Sequence, residues 1–94
     1  MHPLIQRHRR ALLDLATRQG VTDLRDFRSM ARGDARVDSD VDLLVRPLQG
    51  TSLLDLGGLL MDAQDLLGRR VDVVSERALT GALRERIVGE AVPL

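Results

Sequence analysis

The stretch Asp38-Ser39-Asp40-Val41-Asp42-Leu43-Leu44-Val45 carries an aspartate at every second position and then turns apolar. In an extended strand alternate side chains share a face, so Asp40 and Asp42 point the same way, with α-carbons about 6.6 Å apart. Val41, Leu43 and Val45 take the other face, toward a layer of helices. Aspartate is depleted in strands, and two like charges on one face repel. A divalent cation between them offsets that cost, and hard carboxylate oxygens suit Mg²⁺ or Mn²⁺. The plain alternative is a wet strand start, with the strand beginning only at Val41. A calcium loop is excluded. Asp38, Asp40 and Asp42 match its first three ligand positions, but Leu43 replaces the turn glycine and Gln49 the bidentate glutamate.

Asp72 is a second candidate, alone in Val71-Asp72-Val73-Val74 among β-branched residues that bury a strand. A carboxylate there needs a partner. It is either an edge residue answering Arg69 or Arg70, or the third member of an acidic trio, if its strand lies beside that of Asp40 and Asp42. Three acidic oxygens with open positions for water and phosphate fit two-metal phosphoryl transfer. The third element is Phe27-Arg28-Ser29-Met30-Ala31-Arg32-Gly33, a strand entering a short helical turn. Such a turn offers free amides to phosphate, with a hydroxyl from Ser29 and charge from Arg32, or else it is an ordinary surface turn.

The elements that must hold these residues follow from periodicity. Pro3 opens a helix whose apolar side is Leu4, Ile5, His8, Leu12, Leu15 and Ala16, and Gly20 ends it. Val21 to Phe27 reads as a strand interrupted by Asp23 and Asp26, and Ser29 to Asp38 as a turn and loop. The strand of Asp40 and Asp42 stops at Pro47 and Gly50. Ser52 then opens a second long helix with Asp55 in its first turn. Leu53, Leu56, Leu60, Ala63 and Leu67 form its expected buried stripe, with a surplus of leucine available to a second copy of the chain. Gly57 and Gly58 interrupt this helix and Gly68 closes it. Val71–Val74 is a third strand, and Ser75 caps a last helix through Leu79, Leu83 and Val88. The order predicts an α/β fold, a small mixed β-sheet packed by helices.

Composition narrows the function classes. The 94 residues amount to one domain, with eighteen leucines against one phenylalanine and no tryptophan or tyrosine. An aliphatic core of this kind argues against modules that stack bases on aromatic platforms. Fourteen arginines balance 14 acids, so no net field draws in nucleic acid or an anionic membrane. The absence of cysteine excludes disulfides, thiolate zinc and a thiol nucleophile. No apolar run approaches the roughly 20 residues of a membrane span. Arg7, Arg9 and Arg10 come too early for a secretory signal, so the expected location is cytoplasmic. His8 and His2 have no metal-spaced partner.

Ser29-Met30-Ala31-Arg32-Gly33-Asp34, the run from Ser39-Asp40 to Val45, and Val71-Asp72-Val73-Val74 together resemble the minimal nucleotidyltransferases of the DNA polymerase beta-like superfamily. Their pattern is a Gly-Ser pair, about ten residues, Asp-x-Asp on a strand, and a third carboxylate on a later strand. Here ten residues separate Ser29 from Asp40. The resemblance covers nearly the whole chain and implies one nucleotidyltransferase domain over residues 1–94. It implies that Asp40, Asp42 and Asp72 hold Mg²⁺ or Mn²⁺, with Asp72 completing the metal site or helping to deprotonate the attacking hydroxyl. It implies that Ser29, Arg32 and Gly33 cradle a nucleoside triphosphate, ATP being the expected one. It further implies an antitoxin-like transfer of AMP to a protein hydroxyl, with a HEPN-type toxin as partner. Arg28 stands where the family has glycine, and shares a strand face with Asp26. Its side chain either obstructs the triphosphate or adds charge beside it. The corresponding alternative is a non-catalytic module of the same fold that neutralises a partner.

Overall fold

The computed structural model describes residues 3–27 and 41–94. Its helices and strands run in the order α1 (Pro3–Arg7), α2 (Arg9–Arg18), β1 (Val21–Phe27), β2 (Val41–Pro47), α3 (Leu53–Leu67), β3 (Val71–Ser75), a 3₁₀ turn (Glu76–Ala78), α4 (Gly81–Glu90) and β4 (Val92–Pro93). The described strands form one mixed sheet in the order β3-β2-β1-β4. β2 runs antiparallel to β1 and parallel to β3, and β4 lies antiparallel along β1. The expected α/β class and mixed sheet are therefore present. Among the described residues no helix is long and apolar enough to cross a membrane.

Among the described residues two apolar clusters hold the layers together. On one face Ile5, Leu12 and Ala16 of the first two helices and Leu59, Ala63 and Leu67 of α3 pack on Val41, Leu43, Val45 and Val71. On the other, Phe27, Leu44 and Ile87 form a smaller cluster under α4. The sequence predicts one helix from Pro3 to Gly20, but it is broken at His8, whose φ of −103° and ψ of 13° leave the helical range. The bonds from His8 N–H to the Leu4 carbonyl (3.3 Å) and from Leu12 N–H to the His8 carbonyl (2.9 Å) carry the chain direction through the break.

β1 shows why its pattern is untidy. A register shift between Val21 and Asp23 lets Val21 and Leu24, three residues apart, both join the helix-side core. Asp26 then follows Leu24 by alternation and is fully buried, while Phe27 turns to the other cluster.

The expected stripe of α3 holds at Ala63 and Leu67, which are buried, and at Leu56, which packs against the core, but not at the helix start. Leu53 is 86% exposed and Leu54 88%, whereas Leu59 is fully buried. The capping box of Ser52 and Asp55 fixes the helix start, and Gly58 lets the Gln19 side chain lie close against the helix beside the buried Leu59. Ser75 caps only the 3₁₀ turn, through Arg77 N–H at 3.3 Å. The last helix starts at Gly81 because Leu79 is extended and packs into the second cluster. Leu83 is exposed there, and Ile87 replaces it as the buried residue. β4 is a strand the periodicity does not announce. Its two residues are extended along Arg25 and Asp26, and Leu94 N–H continues the pairing to the Leu24 carbonyl at 3.0 Å.

Gly20 and Gly57 make opposite tests of glycine. Gly20 has φ +76°, and a Cβ there would collide with the Thr51 hydroxyl that donates to its carbonyl at 2.8 Å. Gly57 is helical with nothing within 4 Å of an added Cβ. Gly20→Ala is expected to lower the unfolding free energy by about 1–3 kcal/mol, and Gly57→Ala to raise it by about 0.5–1 kcal/mol. Denaturant titration of both variants checks the pair of signs.

Candidate active site

Asp42 and Asp72 are register partners on the parallel strands β2 and β3. Adjacent strands lie about 4.8 Å apart, so the two side chains are nearest cross-strand neighbours on one face. That face is the one opposite the helix-side valines: Val41, Leu43 and Val45 are fully buried on the other side. Asp42 is also the antiparallel partner of Phe27. It is 5% exposed, as befits a strand flanked on both sides, whereas Asp72 is exposed on the outermost described strand.

The corner thus joins the end of β1 to the starts of β2 and β3, with Val41 N–H donating to the Arg70 carbonyl at 2.9 Å. Phe27 and Val41, the residues that flank segment 28–40, both end there. Asp40, Ser29, Arg32 and Gly33, together with Arg28, belong to that segment and lie outside the described residues. Among the described residues no group of three or more acids or histidines gathers as a metal site. Two predicted acids come together, and their paired hard oxygens fit the donor chemistry of Mg²⁺ or Mn²⁺.

A helix fastened by charge walls the same face. Asp42, Leu44 and Arg46 alternate along β2, and Leu44 meets Phe27 and Ile87 beneath α4. Arg46 reaches Glu76 through Nε (3.1 Å to Oε2) and Nη2 (3.4 Å to Oε1). Arg84 of α4 donates to the same carboxylate at 2.9 Å and to the Glu76 carbonyl at 3.0 Å. Glu76 is 5% exposed and therefore ties β2, the 3₁₀ turn and α4 to one buried point. The bonds from Arg46, aided by its charge and those of Arg84 and Arg25, hold the Glu76 carboxyl below its ordinary value against the opposing pull of burial. The same contact raises the Arg46 guanidinium. Sequence reading missed this trio. Its only trace is Arg46 at an alternating position of an otherwise buried strand, and its partners are 30 and 38 residues away, beyond any local pattern.

Comparison with known proteins adds the family context. A nucleotidyltransferase domain family model matches residues 5–93. The chain is 38% identical over 79 residues to the protein adenylyltransferase MntA of Thermococcus cleftensis, covering 84% of this chain and 80% of that protein. A solved structure of a candidate minimal nucleotidyltransferase superposes with a TM-score of 0.89 at 48% identity, covering 100% of this chain and 97% of that one. A toxin–antitoxin crystal structure with AMP-PNP shares the fold, with a TM-score of 0.76 at 19% identity over 89% of this chain and 69% of that one.

The Glu76 clamp has a pH signature. Because its folded carboxyl is depressed, its stabilisation is complete above the ordinary glutamate value of 4.5 and is lost as pH falls through the folded value. Glu76→Gln is expected to lower the melting temperature by roughly 5–10 °C at neutral pH. The gap between variant and parent should close as pH drops below that value, and melting curves across the acid range measure it.

Proposed function

This chain belongs to the nucleotidyltransferase domain family, and on that footing we propose that it moves AMP from ATP to a hydroxyl of a partner protein, as an antitoxin-like adenylyltransferase. The observation that carries the reading is the in-register pair Asp42 and Asp72 at the corner where Phe27 and Val41 also end. The names of its relatives support it: MntA is a protein adenylyltransferase, and the AMP-PNP complex is a toxin–antitoxin pair. The partner we infer is a HEPN-type toxin, met in the cytoplasm, with residues 1–94 acting as one nucleotidyltransferase domain. The exposed Leu53 and Leu54 leave an apolar face that a second copy or the partner can cover.

Asp40, Asp42 and Asp72 would hold Mg²⁺ or Mn²⁺, which when bound neutralises triphosphate charge and makes the α-phosphorus more electrophilic. Buried between two strands, Asp42 cannot swing, so its carboxylate fixes the position of the nucleotide. Asp72 is the exposed member and meets the acceptor hydroxyl. It takes the hydroxyl proton as the new oxygen–phosphorus bond forms and the bond to the β-phosphate oxygen breaks, releasing pyrophosphate. Ser29, Arg32 and Gly33 supply hydrogen bonds and charge to the phosphates, and Arg28 adds a further cation beside them.

Arg28 in place of the family glycine is also the observation that favours a second reading, a non-catalytic partner-binding module of the same fold. The two separate in one assay of pyrophosphate release and label transfer from α-labelled ATP to a co-purified partner with Mg²⁺. The catalytic reading expects transfer by the parent protein. Asp42→Asn and Asp72→Asn should each cut it by more than about 100-fold, the upper end for losing a residue that only supports a metal ligand. Asp72→Asn should not lower the melting temperature, because it leaves an exposed position and relieves a like-charge neighbour. Transfer at the parental rate in both variants would overturn the metal assignment. No transfer by the parent but transfer by Arg28→Gly would establish the module.

A further inference from the structure

At the opposite end of the Asp42 face lies a cavity of about 470 Å³ whose walls include Arg46, Arg77 and Arg84. Arg46 is four residues along β2 from Asp42, roughly 13 Å away, and Leu44 with Phe27 and Ile87 fills the space between. The transfer reaction uses none of these arginines. Three cations face one carboxylate, Glu76, so the cavity carries a surplus of two positive charges. Asp23 also pairs with Arg46 at 3.9 Å but leaves the surplus unchanged, because its charge is matched by that of Arg25, whose Nη2 donates to its Oδ2 at 2.5 Å.

The guanidiniums are also preorganised. Glu76 engages two of the five N–H donors of Arg46, and Glu76 and its carbonyl engage Arg84 through its two terminal nitrogens. Both side chains are thereby held in place while remaining about half exposed, at 52% and 44%. Less rotamer freedom is left to lose when a ligand binds. The rest of the wall is of a different kind: Pro47 and the half-exposed Leu48 give an apolar surface beside the charge.

We propose that this cavity binds a phosphate monoester, its dianionic phosphoryl group among Arg46, Arg77 and Arg84 and its organic body against Pro47 and Leu48. A dianion matches the surplus of two charges, which a single carboxylate would leave half unbalanced. Planar guanidinium forks suit its oxygens. The apolar wall favours an ester over inorganic phosphate. This site is separate from the acidic corner, and its occupancy does not depend on transfer activity.

Amide NMR titration of the full chain in EDTA, with AMP, inorganic phosphate and adenosine as probes, tests it. AMP should shift the amides of Thr22, Leu48, Gln49 and Arg77 saturably, more tightly than phosphate, while adenosine leaves them unmoved. Arg77→Gln should weaken AMP binding about tenfold with an unchanged melting temperature, since the Arg77 side chain is outside the Glu76 clamp. Arg86→Gln, on the exposed side of α4, should bind AMP as the parent does. EDTA removes the divalent cation that the transfer reading needs, which keeps the result distinct from the fate of that reading. The proposal is overturned by an absence of saturable shifts up to about 10 mM, the range of a weak small-ligand site. It is equally overturned by shifts confined to Phe27 and Asp42, by AMP binding no tighter than phosphate, or by undiminished binding in Arg77→Gln.

Discussion

The register of β2 against β3 is the constraint on which the acidic corner depends. Side chains alternate with a period of two, so one residue of slip would send Asp42 into the aliphatic core and Val41 or Leu43 to the open face. The register is held from the apolar side: Val41 opposite Val71, and Leu43 opposite Val73, are anchored by the helices packed over them. The aspartates therefore need no attraction for one another. Hydrophobic burial on one face imposes their approach on the other, and the repulsion is a cost that the larger cluster sustains.

The second layer of control is α4. Its apolar contribution is small, essentially Ile87 with Val88, on a helix otherwise exposed. A helix with so narrow a stripe gains little from burial alone. Glu76 compensates by joining Arg46 on the sheet to Arg84 on the helix across a protected carboxylate. Both arginines keep contact with water, which spares the pair the full desolvation cost of a sealed ion pair. The cluster of Phe27, Leu44 and Ile87 is thus closed at the end remote from Asp42 by charge.

Much of this was legible in the sequence, and the failures have physical causes. The bounds of β1, the start of α3 at Ser52 and its end at Gly68 were readable because cap and turn chemistry is local. Asp42 and Asp72 stood out because a carboxylate contradicts a valine-rich strand. The phase of α3 was readable in its second half, at Ala63 and Leu67, but not at its start, where leucine occupies so many positions that composition cannot say which of them turn inward. β4 was invisible because two residues carry no period. Glu76, Arg46 and Arg84 were invisible as a group because surface-type residues acquire a shared role only when distant segments meet.

Neutral net charge is an average over an uneven surface. Fourteen arginines and 14 acids cancel in the sum but not along this face. The acids Asp42 and Asp72 occupy one end, and Arg46, Arg77 and Arg84 gather at the other, with an apolar plug between. Separation of roughly 13 Å exceeds the Debye length of about 8 Å at physiological salt, so each end presents its own sign to an approaching molecule. A cation and an anion can be attracted to different ends of one small face without either neutralising the other. The sum of charges speaks to long-range encounter with polyanions, whereas local recognition follows from how the fold sorts those charges into two ends.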